Sequence, residues 1–301
     1  MKKSVKKISA IVIGIIMAVS LSACGSSKVA DTNESIENEP ESTGAQSSEA
    51  EIQVFIAASL SNVMQEVAEK YNEKNPDTTI TFNADSSGTL LTQIEEGYAC
   101  DVFFSAAQKQ MNTLQDDGFV VDGTRHNVVN NQVCVIARND SDTAVTGLSD
   151  ISKAASIALA DGSVPVGKYT REAMVNSGLL EKTDDVSKIT TKEVSDALGG
   201  VEVSEQSNVS KVLAAVVEGS CEVGTTYYSD TYGYENDINI IEKVPYDLTG
   251  DVIYPVAQIK NDEADDAEKA AAKEFVDFII SDEAQQIFEK YYFDDARSTE
   301  K

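Results

Sequence analysis

Two stretches of the chain place a serine where an apolar run gives way to a helical pattern. Ser59 follows the run VFIAA, and Ser87 stands before Gly88 in the stretch FNADSSGTLL. A serine hydroxyl and the unpaired N–H groups of a helix N-terminus all donate hydrogen bonds, so together they can hold an anion. We therefore expect both serines to bind an anionic ligand, although serine is also a common helix cap at such junctions.

Residues 51–293 repeat this alternation of apolar runs and helical periodicity. The pattern predicts strands at 52–57, 78–83, 101–105, 132–137, 156–160, 223–228 and 253–259, and helices at 60–74, 89–96, 107–117, 168–177, 209–218 and 264–291. Alternating strands and helices are typical of a parallel sheet covered on both faces, and the length of the region favours two α/β lobes. Because ligands bind outside the carboxyl ends of such strands, the serine-bearing junctions should converge on one site.

Composition excludes several classes of function. The chain has 301 residues, with 24 Lys and Arg against 51 Asp and Glu, which gives a net charge of -27. A nucleic acid partner needs a basic face, so none is expected. His126 is the only histidine in the sequence. A zinc site with several histidine ligands is therefore excluded, and catalysis by histidine could use only this residue.

The N-terminal residues predict export and lipidation. A lysine-rich start precedes a short apolar run at 8–19 and then Leu-Ser-Ala-Cys, ending at Cys24. This pattern resembles a bacterial lipoprotein signal, with cleavage after residue 23 and a lipid on Cys24 that anchors the protein in the bilayer. An ordinary signal peptide or a membrane anchor is the alternative, but the run is short for a span. Residues 24–50 are rich in Ser and Glu, which predicts a disordered linker.

Three other cysteines, Cys100, Cys134 and Cys221, match no metal-binding spacing. We expect them to be small buried apolar residues. One disulfide with one free thiol stays open as the alternative.

Several stretches, in order along residues 51–293, resemble the periplasmic molybdate-binding proteins of bacterial ABC importers. They include VFIAASLSNVMQEVAEKYNEKNP, FNADSSGTLLTQIEEG, DVFFSAAQKQMNTL, VPVGKYTREAM, VGTTYYSDT, IYPVAQI and FVDFIISDEAQQIFEKYYF. The resemblance implies an α/β fold of the type II periplasmic-binding class: two α/β lobes joined by two crossing strands, with a ligand cleft between them. Lobe I would be 51–129 with 251–297, and lobe II 130–250.

The resemblance also implies a function and a set of ligand-binding residues. The protein would be a monomer without enzymatic activity or cofactor that binds molybdate or tungstate as an oxyanion, not as a bare cation, and delivers it to an ABC permease. Carried over position by position, the binding residues would be Ser59, Ser87, Ala106, Val166, Val209 and Tyr227. The serines and the tyrosine would use hydroxyls and the others backbone N–H groups, with Tyr228 as the rival if the register differs by one residue.

Two alternative functions stay open. A protein for another tetrahedral oxyanion, sulfate or phosphate, would share these features. Val166 stands at a position that the family often fills with the smaller alanine, so the size of the pocket, and with it the choice of ion, depends on Val166. A phosphate site would use Asp85 or Asp161 to accept the ligand's proton. Asp85 is otherwise expected to face solvent or cap the next helix. A serine hydrolase would need His126 as its base, and it is disfavoured because no G-x-S-x-G motif occurs.

Overall fold

The computed structural model describes residues 49–299. The predicted signal peptide, the lipidation site Cys24 and the predicted linker up to residue 48 lie outside the described residues. The linker was predicted to reach residue 50, but Ala50 is already the first residue of a strand and is buried. Within 49–299 no helix has both the length and the apolar character that crossing a bilayer requires.

Eleven strands and nine helices form within the described residues. The strands are β1 (Ala50–Ala57), β2 (Thr78–Asp85), β3 (Val102–Phe104), β4 (His126–Asn131), β5 (Val133–Arg138), β6 (Ser156–Ala160), β7 (Glu202–Gln206), β8 (Val223–Tyr227), β9 (Ile238–Lys243), β10 (Val252–Gln258) and β11 (Asp294–Asp295). The helices are α1 (Ser61–Asn72), α2 (Ser87–Glu95), α3 (Gln108–Asp116), α4 (Pro165–Asn176), α5 (Thr191–Ala197), α6 (Val209–Val217), α7 (Tyr246–Thr249), α8 (Asp266–Ile279) and α9 (Asp282–Lys290).

The strands form two sheets with a shared plan. The first sheet has the order β2-β1-β3-β10-β4-β11, and the second has the order β7-β6-β8-β5-β9. In each sheet three parallel strands are followed by an antiparallel strand, β10 in the first and β5 in the second. The prediction of two α/β lobes is confirmed. Each sheet also contains antiparallel strands, because the crossing strands run in the opposite direction.

The chain passes between the sheets twice. Only Gln132 separates β4 from β5, and residues 244–251 separate β9 from β10. The two crossings are joined by a hydrogen bond, since Gln132 Nε2 donates to the Val244 carbonyl at 3.0 Å. The sheets are therefore connected by two adjacent strands, which is the arrangement implied by the type II fold. The predicted lobe limits (51–129 with 251–297, and 130–250) stay a prediction.

Two sequence expectations change in the structure. The predicted helix 264–291 is two helices, because the Ser281 hydroxyl caps α9 by accepting from the Ala284 N–H at 3.2 Å. The three cysteines described, Cys100, Cys134 and Cys221, are buried and free, so the alternative of a disulfide among them was wrong. Burial raises the pKa of the Cys134 thiol, which keeps it protonated and unreactive.

Aromatic packing supports the end of β3, which leads into the junction at Ala106. Phe288 in α9 is fully buried, and its ring lies 5.9 Å from that of Phe104 and 6.0 Å from that of Phe293, both edge to face. Side chains packed in this way contribute through burial and through their ring geometry.

The Phe288→Ala variant should lower the free energy of unfolding by about 3–5 kcal/mol, because it removes a large buried side chain and leaves a cavity. Chemical denaturation measures the change. Tyr98→Ala is the control, since Tyr98 is 59% exposed and its loss should change stability by no more than about 0.5 kcal/mol. Equal stability of the Phe288 variant and the wild type would contradict this packing.

Candidate functional site

One cavity lies where the two sheets face each other, and all six residues predicted to bind the ligand line it. They are Ser59, Ser87, Ala106, Val166, Val209 and Tyr227. The rest of its lining is formed by Ala57, Ala58, Ser86, Val164 and Pro165. All the residues within 49–299 that line the cavity are uncharged. The cavity is small, with a volume of about 10 Å³, which is about the space that one water molecule needs.

The lining residues come from the carboxyl ends of the parallel strands in both sheets. Ser59, Ser87 and Ala106 follow β1, β2 and β3 of the first sheet. The second sheet contributes Val166 after β6, Val209 after β7, and Tyr227, which is the last residue of β8. Neither sheet alone surrounds the cavity, so a guest there would be held between the lobes.

Helices begin at these strand ends, and residues of their first turns line the cavity. No side chain caps α4, which starts with Pro165 at its first position, so the Val166 N–H lies in an uncapped first turn. In α6 the Asn208 side chain accepts from the Lys211 N–H at 3.0 Å and leaves the Val209 N–H without that cap. Both N–H groups carry the partial positive charge of a helix N-terminus.

The two adjacent serines at the start of α2 have different roles. Ser86 is the helix cap, since its hydroxyl oxygen accepts from the Thr89 N–H at 3.1 Å. Ser87 is fully buried, and its oxygen accepts from the Ala106 N–H at 2.9 Å. The Ser87 proton is therefore left to donate. Ala106, predicted as a direct backbone donor, donates to Ser87 in this structure and so acts through that serine.

Tyr227 and Tyr228 lie in different environments, and Tyr227, not Tyr228, lines the cavity. Tyr227 lines the cavity, and its hydroxyl has no hydrogen-bond partner among the described residues. Burial raises the pKa of the Tyr227 hydroxyl well above its usual range, so it keeps a proton to donate. Tyr228 instead stacks on Tyr292 with ring centroids 4.5 Å apart, beneath the ammonium group of Lys243.

The carboxylates near the cavity are directed elsewhere. Asp85 Oδ1 accepts from the Ser86 N–H at 2.7 Å and from Asn208 Nδ2 at 3.2 Å. Asp161 Oδ1 accepts from the N–H and the hydroxyl of Ser163. Asp85 was expected to face solvent or cap the helix. Ser86 is the cap, and the half-buried Asp85 bonds to Asn208 of the other lobe.

The lobes touch each other at the rim of the cavity. Besides the bond between Asp85 and Asn208, a Cβ atom placed on Gly88 would lie 3.4 Å from the Ser163 carbonyl oxygen. Gly88 belongs to α2 of the first lobe, and Ser163 lies in the loop before α4 of the second. The structure is therefore a closed arrangement of the lobes.

Arg171 is a positively charged residue near the cavity that the sequence analysis missed. Its side chain in α4 is fully buried; Nε donates to the Ile189 carbonyl, and Nη1 donates to the carbonyls of Ala160 and Gly167. Burial lowers the pKa of the guanidinium, which nevertheless stays charged in proteins. Arg171 thus engages carbonyl oxygens between β6 and α4 and adds a positive charge beneath the first turn of α4.

Catalytic and metal-binding groups are not assembled at the cavity. His126 lies on β4, opposite Val256 of β10, and is not among the lining residues. The serine hydrolase alternative therefore lacks its base. Across residues 49–299, no three His, Cys, Asp or Glu side chains form a group that could hold a metal ion.

Comparison with known proteins identifies the family. The profile of bacterial extracellular solute-binding proteins matches residues 52–294. The chain belongs to this family. The solute-binding proteins of this family are transport proteins and not enzymes, which agrees with the geometry of the cavity.

Three known proteins are similar to this solute-binding protein. The molybdate-binding protein ModA of Escherichia coli K12 is 30% identical over 256 residues, covering 81% of this chain and 89% of ModA. YvgL of Bacillus subtilis 168, described as a substrate-binding lipoprotein of an ABC transporter, is 30% identical over 241 residues, covering 80% and 85%. A structure from Clostridium difficile, described as the substrate-binding domain of a molybdenum ABC transporter, aligns with a TM-score of 0.59 and 32% identity, covering 82% and 99%.

Asp230, which follows Tyr227 by three residues, is a buried carboxyl group. Its Oδ2 atom has no hydrogen-bond partner within the described part of the chain. Burial raises its pKa to about 7. The folded protein thus keeps a proton on Asp230 that the unfolded chain loses near pH 4.

This difference predicts how stability depends on pH. Between about pH 4 and pH 7 the folded state binds the extra proton, so the free energy of unfolding should fall as the pH rises, by roughly 1 kcal/mol per pH unit, and this contribution should be constant above pH 7. Asp230→Asn should remove that slope and gain stability relative to the wild type at pH 8. Denaturation at several pH values measures it; parallel profiles for the two proteins would contradict the prediction.

Proposed function

We propose that this solute-binding protein captures molybdate or tungstate outside the cytoplasm and delivers the ion to an ABC permease. The observation that carries the proposal is the cavity between the lobes, which is lined by hydrogen-bond donors from both sheets and by no charged side chain. A dianion can leave water for such a site if each of its oxygens finds donors. The molybdate-binding relatives and the match to the solute-binding family support the choice of ion.

In this proposal the hydroxyls of Ser59, Ser87 and Tyr227 donate to the ion, together with the N–H groups of Val166 and Val209. Ala106 contributes by holding the oxygen of Ser87 at 2.9 Å. The ion would stabilise the closed arrangement, because only there do donors of both lobes reach it. Lobe I would consist of 51–129 with 251–297, and lobe II of 130–250.

The phosphate alternative is less well supported. A phosphate ion at neutral pH carries a proton and needs an acceptor, yet Asp85 and Asp161 do not line the cavity and accept hydrogen bonds from other groups. Sulfate carries no proton and differs from molybdate mainly in its shorter bonds. The size of the cavity, which Val166 helps to line, would decide between sulfate and molybdate.

We also propose that the mature chain begins at Cys24 and is held at the outer face of the membrane by a lipid on that residue. The N-terminal sequence pattern supports this, as does the lipoprotein description of YvgL. The lipid would keep a monomeric protein close to its permease partner, with residues 25–48 as the tether.

The ligand-binding residues are tested by removing single hydroxyls. Ser59→Ala and Ser87→Ala should each weaken molybdate binding by about 1–3 kcal/mol, the value of a hydrogen bond to a charged group. This corresponds to about 5- to 150-fold in dissociation constant. Isothermal titration calorimetry with molybdate, tungstate, sulfate and phosphate measures both the affinities and the preferred ion.

The matched control is Ser195→Ala. The Ser195 hydroxyl donates to the Val201 carbonyl at 2.6 Å, just before the amino end of β7, and Ser195 does not line the cavity, so its loss should leave the affinity unchanged. Wild-type affinity in both cavity variants would reject the assignment of the site, and no binding of any of the four ions by the wild type would reject the function.

A further inference from the structure

A chain of buried hydrogen bonds leads from Ser59 to the point where the chain crosses between the lobes. The hydroxyls of Ser59 and Tyr254 are 2.9 Å apart. Asn131 Nδ2 lies 3.0 Å from the Tyr254 oxygen and 2.8 Å from that of Ser229. Asn131 ends β4 at the first crossing, Tyr254 lies in β10 of the first sheet, and Ser229 follows β8 of the second.

The direction of these hydrogen bonds follows from the groups at Asn131. The backbone N–H groups of Gln132 and Ser229 can only donate, and both point at Asn131 Oδ1, at 2.9 Å and 3.4 Å. Oδ1 is therefore the acceptor, and the amide nitrogen must donate to Tyr254. The side-chain amide has a fixed orientation, although oxygen and nitrogen are similar in size.

The same reasoning extends to Tyr254 and Ser59. The Tyr254 oxygen accepts from Asn131, and Ser59 is the remaining hydrogen-bond partner that the structure records for its hydroxyl. Tyr254 is fully buried, so a proton directed away from Ser59 would give up this hydrogen bond, which is costly. Burial also raises the pKa of Tyr254 well above its usual range, so that proton is retained. Tyr254 therefore donates to the Ser59 oxygen, and the Ser59 proton is left for the cavity.

We propose that Tyr254, oriented by Asn131, is a positioning residue that fixes Ser59 as a hydrogen-bond donor toward the ligand and so disfavours oxyanions that carry a proton. The inference rests on the proposed function of the cavity. A ligand O–H group facing Ser59 would have to donate to the Ser59 oxygen, which already accepts from Tyr254, and the Ser59 proton would then lose the ligand as its acceptor. A fully deprotonated oxyanion avoids this conflict.

Ser87 is also fixed as a hydrogen-bond donor toward the cavity, but by a backbone group. Its oxygen accepts from the Ala106 N–H, a group that cannot reverse its direction. The direction at Ser59 depends on a hydroxyl, which can reverse, and is set only through Asn131. Selectivity should therefore be most sensitive to change at Tyr254.

The test uses Tyr254→Phe, which removes the hydroxyl and keeps the ring. Affinities for sodium molybdate, and for sodium phosphate by competition, are measured at pH 7 in the wild type, in Tyr254→Phe, in Ser59→Ala and in the double variant. We expect Tyr254→Phe to weaken molybdate binding and to reduce the ratio of molybdate to phosphate affinity by about tenfold. In the Ser59→Ala background the same change should leave the ratio unaltered, because Tyr254 acts through Ser59.

Tyr98→Phe on the exposed surface is the control and should behave as the wild type. Thermal unfolding of the unliganded variants separates a loss of stability from a loss of selectivity. An unchanged ratio in Tyr254→Phe, or an equal fall of the ratio in both backgrounds, would overturn the inference and leave the proposed function intact. A wild type that binds neither ion would overturn the proposed function and the inference with it.

Discussion

The structure depends on one constraint: the cavity between the lobes offers hydrogen-bond donors without a charged side chain, in a chain with a net charge of -27. Attraction over long distances is screened at physiological salt beyond about 8 Å, so local donors have to supply the binding energy. Helix N–H groups can do so because they only donate, and a hydroxyl can do so when the protein already donates a hydrogen bond to its oxygen. Ser87 meets this condition through Ala106, and Ser59 through Tyr254.

The fold brings these donors together because each sheet contains three parallel strands. The carboxyl ends of such strands share one edge, and the helices that follow begin there with unpaired N–H groups. Two such edges, facing each other, surround a tetrahedral guest better than one edge could. The chain crosses from β4 to β5 at Gln132, directly after Asn131. The side chain of Asn131 donates to the Tyr254 hydroxyl and so orients it.

The sequence predicted seven of the eleven strands in the described residues, and the six residues expected to bind the ligand do line the cavity. Ser59 and Ser87 stood at recognisable strand-to-helix junctions, and the resemblance to a family placed Val166, Val209 and Tyr227. The strands β4, β7, β9 and β11 were missed because they are short or rich in polar residues, as in HNVVNN and EVSEQ. These strands are specified by their neighbours in the sheet more than by their own composition.

The residues that hold the cavity lining in place, Tyr254 and Arg171, could not be predicted from the sequence for a different reason. Tyr254 is 195 positions from Ser59, and no local pattern indicates that their hydroxyls meet. Arg171 stood in the helical stretch KYTREAM, where arginine normally faces solvent, and only the folded loop shows that it holds the carbonyls of Ala160 and Gly167. The pattern indicated which residues could touch a ligand, but not what holds them in place.

The most direct test of the account is a crystal structure of the protein with molybdate, in which anomalous scattering at the molybdenum edge locates the ion. The account predicts a single ion between the lobes, with its oxygens about 3 Å from the hydroxyls of Ser59, Ser87 and Tyr227 and from the N–H groups of Val166 and Val209. It also predicts that no lysine, arginine or carboxylate contacts the ion. An ion held by a charged side chain, or one that lies outside this cavity, would contradict the account.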